Sequence, residues 1–344
     1  MNPLNHPKKF VHELCDWYRT NKRLLPFRET RDPYRILVSE LMLQQTQMDT
    51  VIPYYLRFIE QFPNVHALAA APSESVLKAW EGLGYYRRAR YLHQAAQAIV
   101  HEHGGHFPET LTALRRLPGI GDYTAGALAS IAFNQPTPAV DGNVIRVMSR
   151  VLADARDFSR RKTVRELECY LEQLIRYDTP ADFTQALMEL GALVCQKKPR
   201  CDMCPVKTHC RAFATDETND YPVLTAKPAK TSQAYHVFLL GDHQKGYVFQ
   251  TRPEHGLLGG LLQLPQYAGT LAQAQASLEE DFGLEVSQTE SLFSVRHVFT
   301  HIIWEMQVMA TTLAGTPTLD YHQLENLPGT LSKAHRKILD RLKK

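Results

Sequence analysis

The apolar positions of this chain change rhythm once. Up to residue 213 they recur every three or four residues, and beyond residue 230 they alternate or run together. In Arg87–His103, residues Ala89, Leu92, Ala95, Ala96, Ile99 and Val100 share one broad face, which predicts an amphipathic helix. Residues 39–59 carry the same spacing, with an interruption expected at Pro53, where a new helix can start with proline in its first turn. Pro72-Ser73 ahead of Val76, Leu77 and Trp80 predicts a helix start capped by Ser73. Residues 163–177 and 182–195 complete the helical set. Beyond 230, residues 235–240 and 247–250 flank Gly241-Asp242 and Lys245-Gly246, the pattern of a β-hairpin. Residues 295–300 and 302–311 predict further strands, and residues 271–282 and 332–342 predict helices.

Residues 214–230 are polar and proline-bearing, with Tyr221-Pro222 and Lys227-Pro228, and read as a linker. The expected organisation is an all-α domain at 1–213, a linker at 214–230 and an α+β domain at 231–344. No run of eighteen apolar residues occurs, and residues 1–9 lack the apolar core of a secretory signal. A cytoplasmic monomer without a membrane partner is therefore expected, nucleoid-associated if the source is bacterial. The net charge of +3 hides an asymmetry. Residues 1–213 hold 28 Lys and Arg against 22 Asp and Glu, and the remainder holds 11 against 14. The basic part is the candidate for phosphate contacts.

Four of the six cysteines fall within sixteen residues: Cys195, Cys201, Cys204 and Cys210. Structural zinc sites usually offer two close pairs across a longer loop, whereas this run has one close pair with a further cysteine on each side. That compactness suits a cubane 4Fe-4S cluster, with zinc open as the alternative because four thiolates serve both. Cys15 and Cys169 read as small buried residues.

Leu117-Pro118-Gly119-Ile120-Gly121-Asp122-Tyr123-Thr124 places two glycines around one apolar residue, between a short helix and a longer one. Such a hairpin presents backbone N–H groups, and glycine lets a phosphate come close. Asp141-Gly142-Asn143 follows, a turn whose aspartate can cap a helix or face a bound sugar.

Helical domain, glycine hairpin, late aspartate and four-cysteine loop occur in this order in the helix-hairpin-helix DNA glycosylases. Among these the chain resembles the adenine DNA glycosylases of the MutY type along nearly its whole length. The resemblance is carried by residues 38–47 (VSELMLQQTQ), 82–86 (GLGYY), 117–124, 140–144 (VDGNV) and 183–192 (FTQALMELGA). It implies excision of adenine mispaired with 8-oxoguanine or guanine in duplex DNA, leaving an abasic site for base excision repair. Glu40 is then the acid that protonates adenine, and Asp141 the carboxylate that stabilises or captures the sugar. Two carboxyl groups in different states suit the breaking of a glycosidic bond.

By the same resemblance Tyr123 replaces the Schiff-base lysine of the endonuclease III type, and Ile145 supplies no amine, so a monofunctional glycosylase is implied. Tyr123 and Asn143 would position water or the carboxylates. Gln45 and Tyr85 match the family's wedge residues, needed because a base must leave the duplex before it is cut. Thr46, Leu117, Gly119, Gly121 and Thr124 would meet DNA, and Phe27, Arg28 and Gln185 would line the adenine pocket. The C-terminal part resembles a Nudix-like lesion-reading domain, in which Phe299-Thr300-His301 matches a Phe-Ser-His turn. Glu280 and Asp281 stand where a Nudix hydrolase holds magnesium, but Ala276 and Ser277 replace the Arg and Glu it needs. Hydrolase activity is not expected. At the cluster loop the family usually has six residues between its first two cysteines, and this chain has five.

Overall fold

The computed structural model describes residues 3–226, 228–253, 255–315 and 318–342. The helices are α1 (Pro7–Asn21), α2 (Pro33–Leu43), α3 (Met48–Gln61), α4 (Val65–Ala70), α5 (Ser73–Ala79) and α6 (Arg87–His103), followed by α7 (Leu111–Leu114), α8 (Asp122–Ala127), α9 (Gly142–Leu152), α10 (Arg161–Leu174), α11 (Pro180–Leu193) and α12 (Arg211–Ala214). Strands β1 (Thr231–Asp242), β2 (Gly246–Val248), β3 (Gln250–Thr251), β4 (Leu262–Gln263) and β5 (Gln266–Ala268) precede α13 (Leu271–Phe282). Strands β6 (Val286–Val298), β7 (Ile302–Leu313) and β8 (Tyr321–His322) lead to α14 (Lys333–Leu342).

Local chemistry sets the helix starts. Pro33 and Pro180 occupy first turns, where a missing N–H costs nothing, and Asp32 caps α2 through the Tyr34 amide. Two expectations fail. Pro53 lies inside α3, and the break falls earlier, between α2 and α3, where Gln45 is left-handed at φ 57°. Ser73 is the first residue of α5 rather than its cap, because Pro72 already holds the extended cap conformation and lends no side-chain bond.

The chain divides into two compact units. One comprises Met1–Ala71 and Arg87–Ala226, the other Pro72–Tyr86 and Lys227–Lys344. The division differs from the one expected on two points. The segment read as a linker is tied into the helical unit: Val223 O accepts from Phe158 N at 3.0 Å, and Thr225 Oγ1 donates to Asp157 at 2.6 Å. Residues 72–86, helical in pattern, group with the later unit. Cys15 is buried as expected, whereas Cys169 is exposed, so its packing role falls away.

Among the described residues every strand lies at or beyond Thr231. The main sheet runs β6-β7-β1-β2-β8, with β5 also paired to β1. The expected hairpin is present but short, with two residue pairs, Gly241 with Tyr247 and Asp242 with Gly246. The long partner of β1 is β7, parallel from Thr231–Ile302 to Leu240–Thr311. Helices cover both faces, so residues 237–240 form a continuous apolar run. Val237 and Leu239 pack with Trp304, Leu264 and Ile338, while Phe238 and Leu240 pack with Ala274, Leu278 and Met309. Helix α13 carries a complete capping box, Thr270 with Gln273, and ends on left-handed Gly283.

His335 is fully buried beside Trp304. Its Nδ1 accepts from Leu264 N at 3.1 Å, so Nε2 carries the hydrogen and donates to Gln266 Oε1 at 2.8 Å. Burial pushes His335 down to about 3, and burial with Lys337 and Lys333 pushes His297 down to about 4. Unfolded, both bind a proton near pH 6.5. Their contribution is therefore complete above pH 6.5 and is lost as the pH falls toward 4 and 3. For His335 the slope is about 1.4 kcal/mol per pH unit. Urea midpoints followed by tryptophan fluorescence should drop between pH 7 and 4.5, and less steeply in His335→Gln.

Candidate active site

Helix α2 delivers Glu40 into the helical unit with 1% of its surface exposed. It is the eighth residue of that helix, far from the N-terminus where a glutamate is ordinarily welcome. Its Oε2 accepts from the Tyr123 hydroxyl at 2.6 Å. Its Oε1 stands 3.3 Å from Arg28 Nη1 and has no hydrogen-bond partner. Desolvation, then the charges of Glu40 and Asp141, push Tyr123 well above its ordinary range, so its hydroxyl remains a donor.

Asp141 is the N-cap of α9, accepting from Val144 N through Oδ1 at 2.8 Å. Its Oδ2 accepts from Asn143 Nδ2 at 2.8 Å. The cap and the candidate catalytic group are one residue. Asn143 Oδ1 accepts in turn from Arg146 Nη2 at 2.8 Å. Arg146 also donates to Gly191 O at 2.8 Å and to Cys195 O at 2.7 Å. One guanidinium therefore joins the Asp-Gly-Asn turn to the first cysteine of the quartet.

Arg28 and Gln185 line a cavity of about 220 Å³ together with Tyr18, Lys22, Arg31, Ile131 and Asp182. Gln185 donates to Ala181 O at 3.2 Å, and its buried Oε1 has no partner. Phe27 is not part of this lining; it is buried edge-on against Tyr55, 5.3 Å between ring centres.

At the hairpin the glycines and the larger residues part company. Gly119 and Gly121 are exposed, whereas Leu117 and Thr124 are buried. Thr124 Oγ1 accepts from Gln44 Nε2 at 3.3 Å, so it faces inward. Gly119 is left-handed at φ 72°, and a side chain there would strike Tyr91. Gln45 is exposed and held by Arg88, a buried residue that sequence reasoning missed. Arg88 Nη1 donates to Leu41 O, Met42 O and Gln44 O at 2.6–2.8 Å, and Nη2 to Thr46 Oγ1 at 3.2 Å. It caps the carbonyl end of α2 with a side chain from α6. A charge on the apolar stripe it shares with Leu92 and Ile99 was the available signal.

In the other unit Tyr85 is 45% exposed and left-handed at φ 49°. Its hydroxyl lies 2.7 Å from Thr300 Oγ1. Phe299 supports the turn from beneath, against Trp304 and His297, and His301 is exposed. Asp281 is occupied within the fold, accepting from Tyr267 at 2.7 Å and Gln250 at 3.3 Å.

Cys195, Cys201, Cys204 and Cys210 line one cavity walled by Val147, Val151, Leu190, Val194 and Val206. Burial raises Cys204 to about 12 and Cys210 to about 11. Thiols so resistant to ionisation need a bound metal to become ligands. Arg150 Nη1 lies 3.4 Å from Cys195 Sγ and donates to Gln196 O at 2.6 Å, a cation fixed beside the quartet. Four soft donors around an apolar cavity fit an iron–sulfur cluster. Among the described residues no group of three or more His, Cys, Asp or Glu is placed to hold a single metal ion.

Residues 38–174 match the HhH-GPD superfamily of base excision DNA repair proteins, and residues 236–341 match the NUDIX domain. The structure of a thermostable thymine-DNA glycosylase is similar in fold, with 28% identity and a TM-score of 0.55 over 61% of this chain and 98% of that one. The endonuclease III-like fold generally carries a 4Fe-4S cluster. Fold and family models together define a helix-hairpin-helix domain of the base excision repair superfamily and a Nudix-like domain. An adenine DNA glycosylase of Rattus norvegicus is 47% identical over 96% of this chain and 77% of its own. One of Arabidopsis thaliana is 38% identical over 87% of this chain and 56% of its own. The chain belongs to the adenine DNA glycosylase family. It spans about half the length of the Arabidopsis thaliana and Mus musculus relatives, 56% and 44%.

The turn at Asp141 leaves a marked difference between two glycines. A Cβ on Gly191 would stand 2.6 Å from Asn143 Cβ, whereas one on Gly142 meets nothing within 4 Å. Gly191→Ala should therefore destabilise the protein by about 1–3 kcal/mol, the usual cost of overpacking. Gly142→Ala should stay within about 0.5 kcal/mol. Denaturant unfolding of the two variants checks the contrast.

Proposed function

We propose that this chain is a monofunctional DNA glycosylase that removes adenine paired with 8-oxoguanine or guanine and leaves an abasic site. The observation that carries the reading is the buried Glu40 carboxyl, bonded to the Tyr123 phenol and 3.3 Å from Arg28, which lines a cavity with Gln185.

Adenine is a poor leaving group and must be protonated as its bond to the sugar breaks. Tyr123 already fills Glu40 Oε2, so the proton of the acid form belongs on Oε1, the oxygen without a hydrogen-bond partner. From there it passes to a ring nitrogen of adenine. The unpartnered Gln185 Oε1 suits the exocyclic amine of the base, which guanine lacks at that position. Asp141, both oxygens fixed by Val144 N and Asn143, presents its carboxylate to the positive charge that develops on the sugar. Exposed Gly119 and Gly121 leave the hairpin backbone open to a phosphate, so DNA contact there is by main chain. Thr300 and His301 are suited to reading the opposite base.

The four cysteines would hold a 4Fe-4S cluster, which shapes the loop carrying Lys197, Lys198, Arg200 and Lys207. In anaerobically purified protein we expect about four irons and four sulfides per chain, as a cubane requires. Zinc without iron would overturn that assignment.

Single-turnover excision from duplexes pairing adenine with 8-oxoguanine, guanine or cytosine tests the activity. Glu40→Gln keeps the shape but loses the acid, and should fall by about 10²- to 10⁴-fold. Asp141→Asn should fall comparably, while both still bind the duplex. Breaks should appear only after alkali. Near-normal excision by Glu40→Gln would place the proton on another group, and strand cleavage without alkali would refute the monofunctional reading.

A further inference from the structure

The segment 72–86 is bonded to the later unit through Glu81, Tyr85 and Tyr86. Arg336 Nη2 donates to Glu81 Oε1 at 2.6 Å, Tyr86 Oη donates to Leu331 O at 3.4 Å, and Tyr85 Oη meets Thr300 Oγ1 at 2.7 Å. The Glu81 carboxylate is 19% exposed and the Arg336 side chain 33%, so this ion pair is partly withdrawn from water. Between Glu81 and Tyr85 the chain passes through Gly82 and Gly84, both with positive φ, at 103° and 72°. The turn is braced internally by Trp80 Nε1 donating to Gly84 O at 3.2 Å and Gly82 N donating to Tyr86 Oη at 3.3 Å. A turn of this kind moves as a piece. The Glu81 carboxylate ties this turn to α14 by an ion pair.

We propose that the Glu81–Arg336 pair is a clasp that sets Tyr85 against Thr300 and thereby determines specificity for the base opposite adenine. The specificity part rests on the function proposed above. Thr300 carries a γ-methyl that restricts its rotamers, and Tyr85 fixes where its hydroxyl points. Either hydroxyl of the pair can donate, so Thr300 can accept from the N7–H of 8-oxoguanine while donating to Tyr85. Unmodified guanine offers an acceptor at N7 and demands the opposite arrangement. Freed from the clasp, Tyr85 leaves Thr300 to rotate, and the two bases become harder to tell apart. Glu81 and Arg336 act as positioning residues and touch no substrate. Lys78, 2.8 Å from Glu81, shares the carboxylate, so Arg336 gives the cleaner variants.

The test uses the full chain with Arg336→Glu, Arg336→Lys, Glu81→Arg and the double exchange. Two quantities are read: the ratio of single-turnover excision rates opposite 8-oxoguanine and guanine, and the ¹⁹F signal of Tyr85 in 3-fluorotyrosine protein, assigned by its loss in Tyr85→Phe. Arg336→Glu should shift the Tyr85 signal and lower the ratio by about fivefold, the scale of a partly exposed pair turned repulsive. The rate opposite guanine should stay within about twofold. Arg336→Lys should keep most of the ratio, and the double exchange should recover it, which misfolding could not produce. An unmoved Tyr85 signal in Arg336→Glu would overturn the clasp, as would a double exchange that restores nothing. If the unaltered protein excises no adenine while Arg336→Glu moves the signal, the proposed function fails and the clasp stands.

Discussion

The helix bearing Asp141 and the helix leading to the cysteines meet where a side chain is missing. At Gly191 the backbone of α11 comes so close to Asn143 that no Cβ fits. That approach lets Arg146 reach Asn143, Gly191 and Cys195 with a single guanidinium. It also lets Asn143 hold Asp141 while Asp141 caps α9. Orientation of the carboxylate, the start of a helix and the entry to the cysteine loop are thus satisfied by one small network. A half-buried network with every member bonded is stiff, which suits the role proposed for Asp141.

Two residues expected to enter DNA share a backbone conformation that L-residues seldom adopt. Gln45 and Tyr85 both have φ near 50°. Such positions cost about 1–3 kcal/mol and persist only where the surroundings dictate them. For Gln45 the dictating group is Arg88, which claims three carbonyls at the end of α2. For Tyr85 it is the braced turn around Trp80 and Tyr86. Different side chains thus hold these two exposed residues in the same rare conformation.

Much of this was legible in the residues. Glu40, Asp141, the glycine hairpin and the cysteine quartet each combine a residue type with a spacing, and both survive folding unchanged. Helix α13 was legible to the residue because its cap, apolar face and terminal glycine agree. The arginines that tie the helices together were not. Arg88, Arg146 and Arg150 each sit in an otherwise ordinary helical pattern, and their value lies in carbonyls more than forty positions away in several cases. The inward facing of Thr124 and Leu117 was not legible either, because a motif names residues without saying which way they face. The parallel pairing of β1 with β7 spans some sixty residues of intervening chain and leaves no local trace.

The assignment of residues 72–86 to the later unit has a consequence for how the chain is made. During synthesis this segment leaves the ribosome roughly 250 residues before Arg336 does. At about 5–20 residues per second it waits on the order of 12–50 s for its partners. In that interval Tyr86, buried in the finished protein, lacks the Leu331 carbonyl to which it donates. Residues before and after the segment belong to the helical unit and have their own partners at hand. Leu331 and Arg336 thus complete, late in synthesis, a piece of structure begun roughly 250 residues earlier.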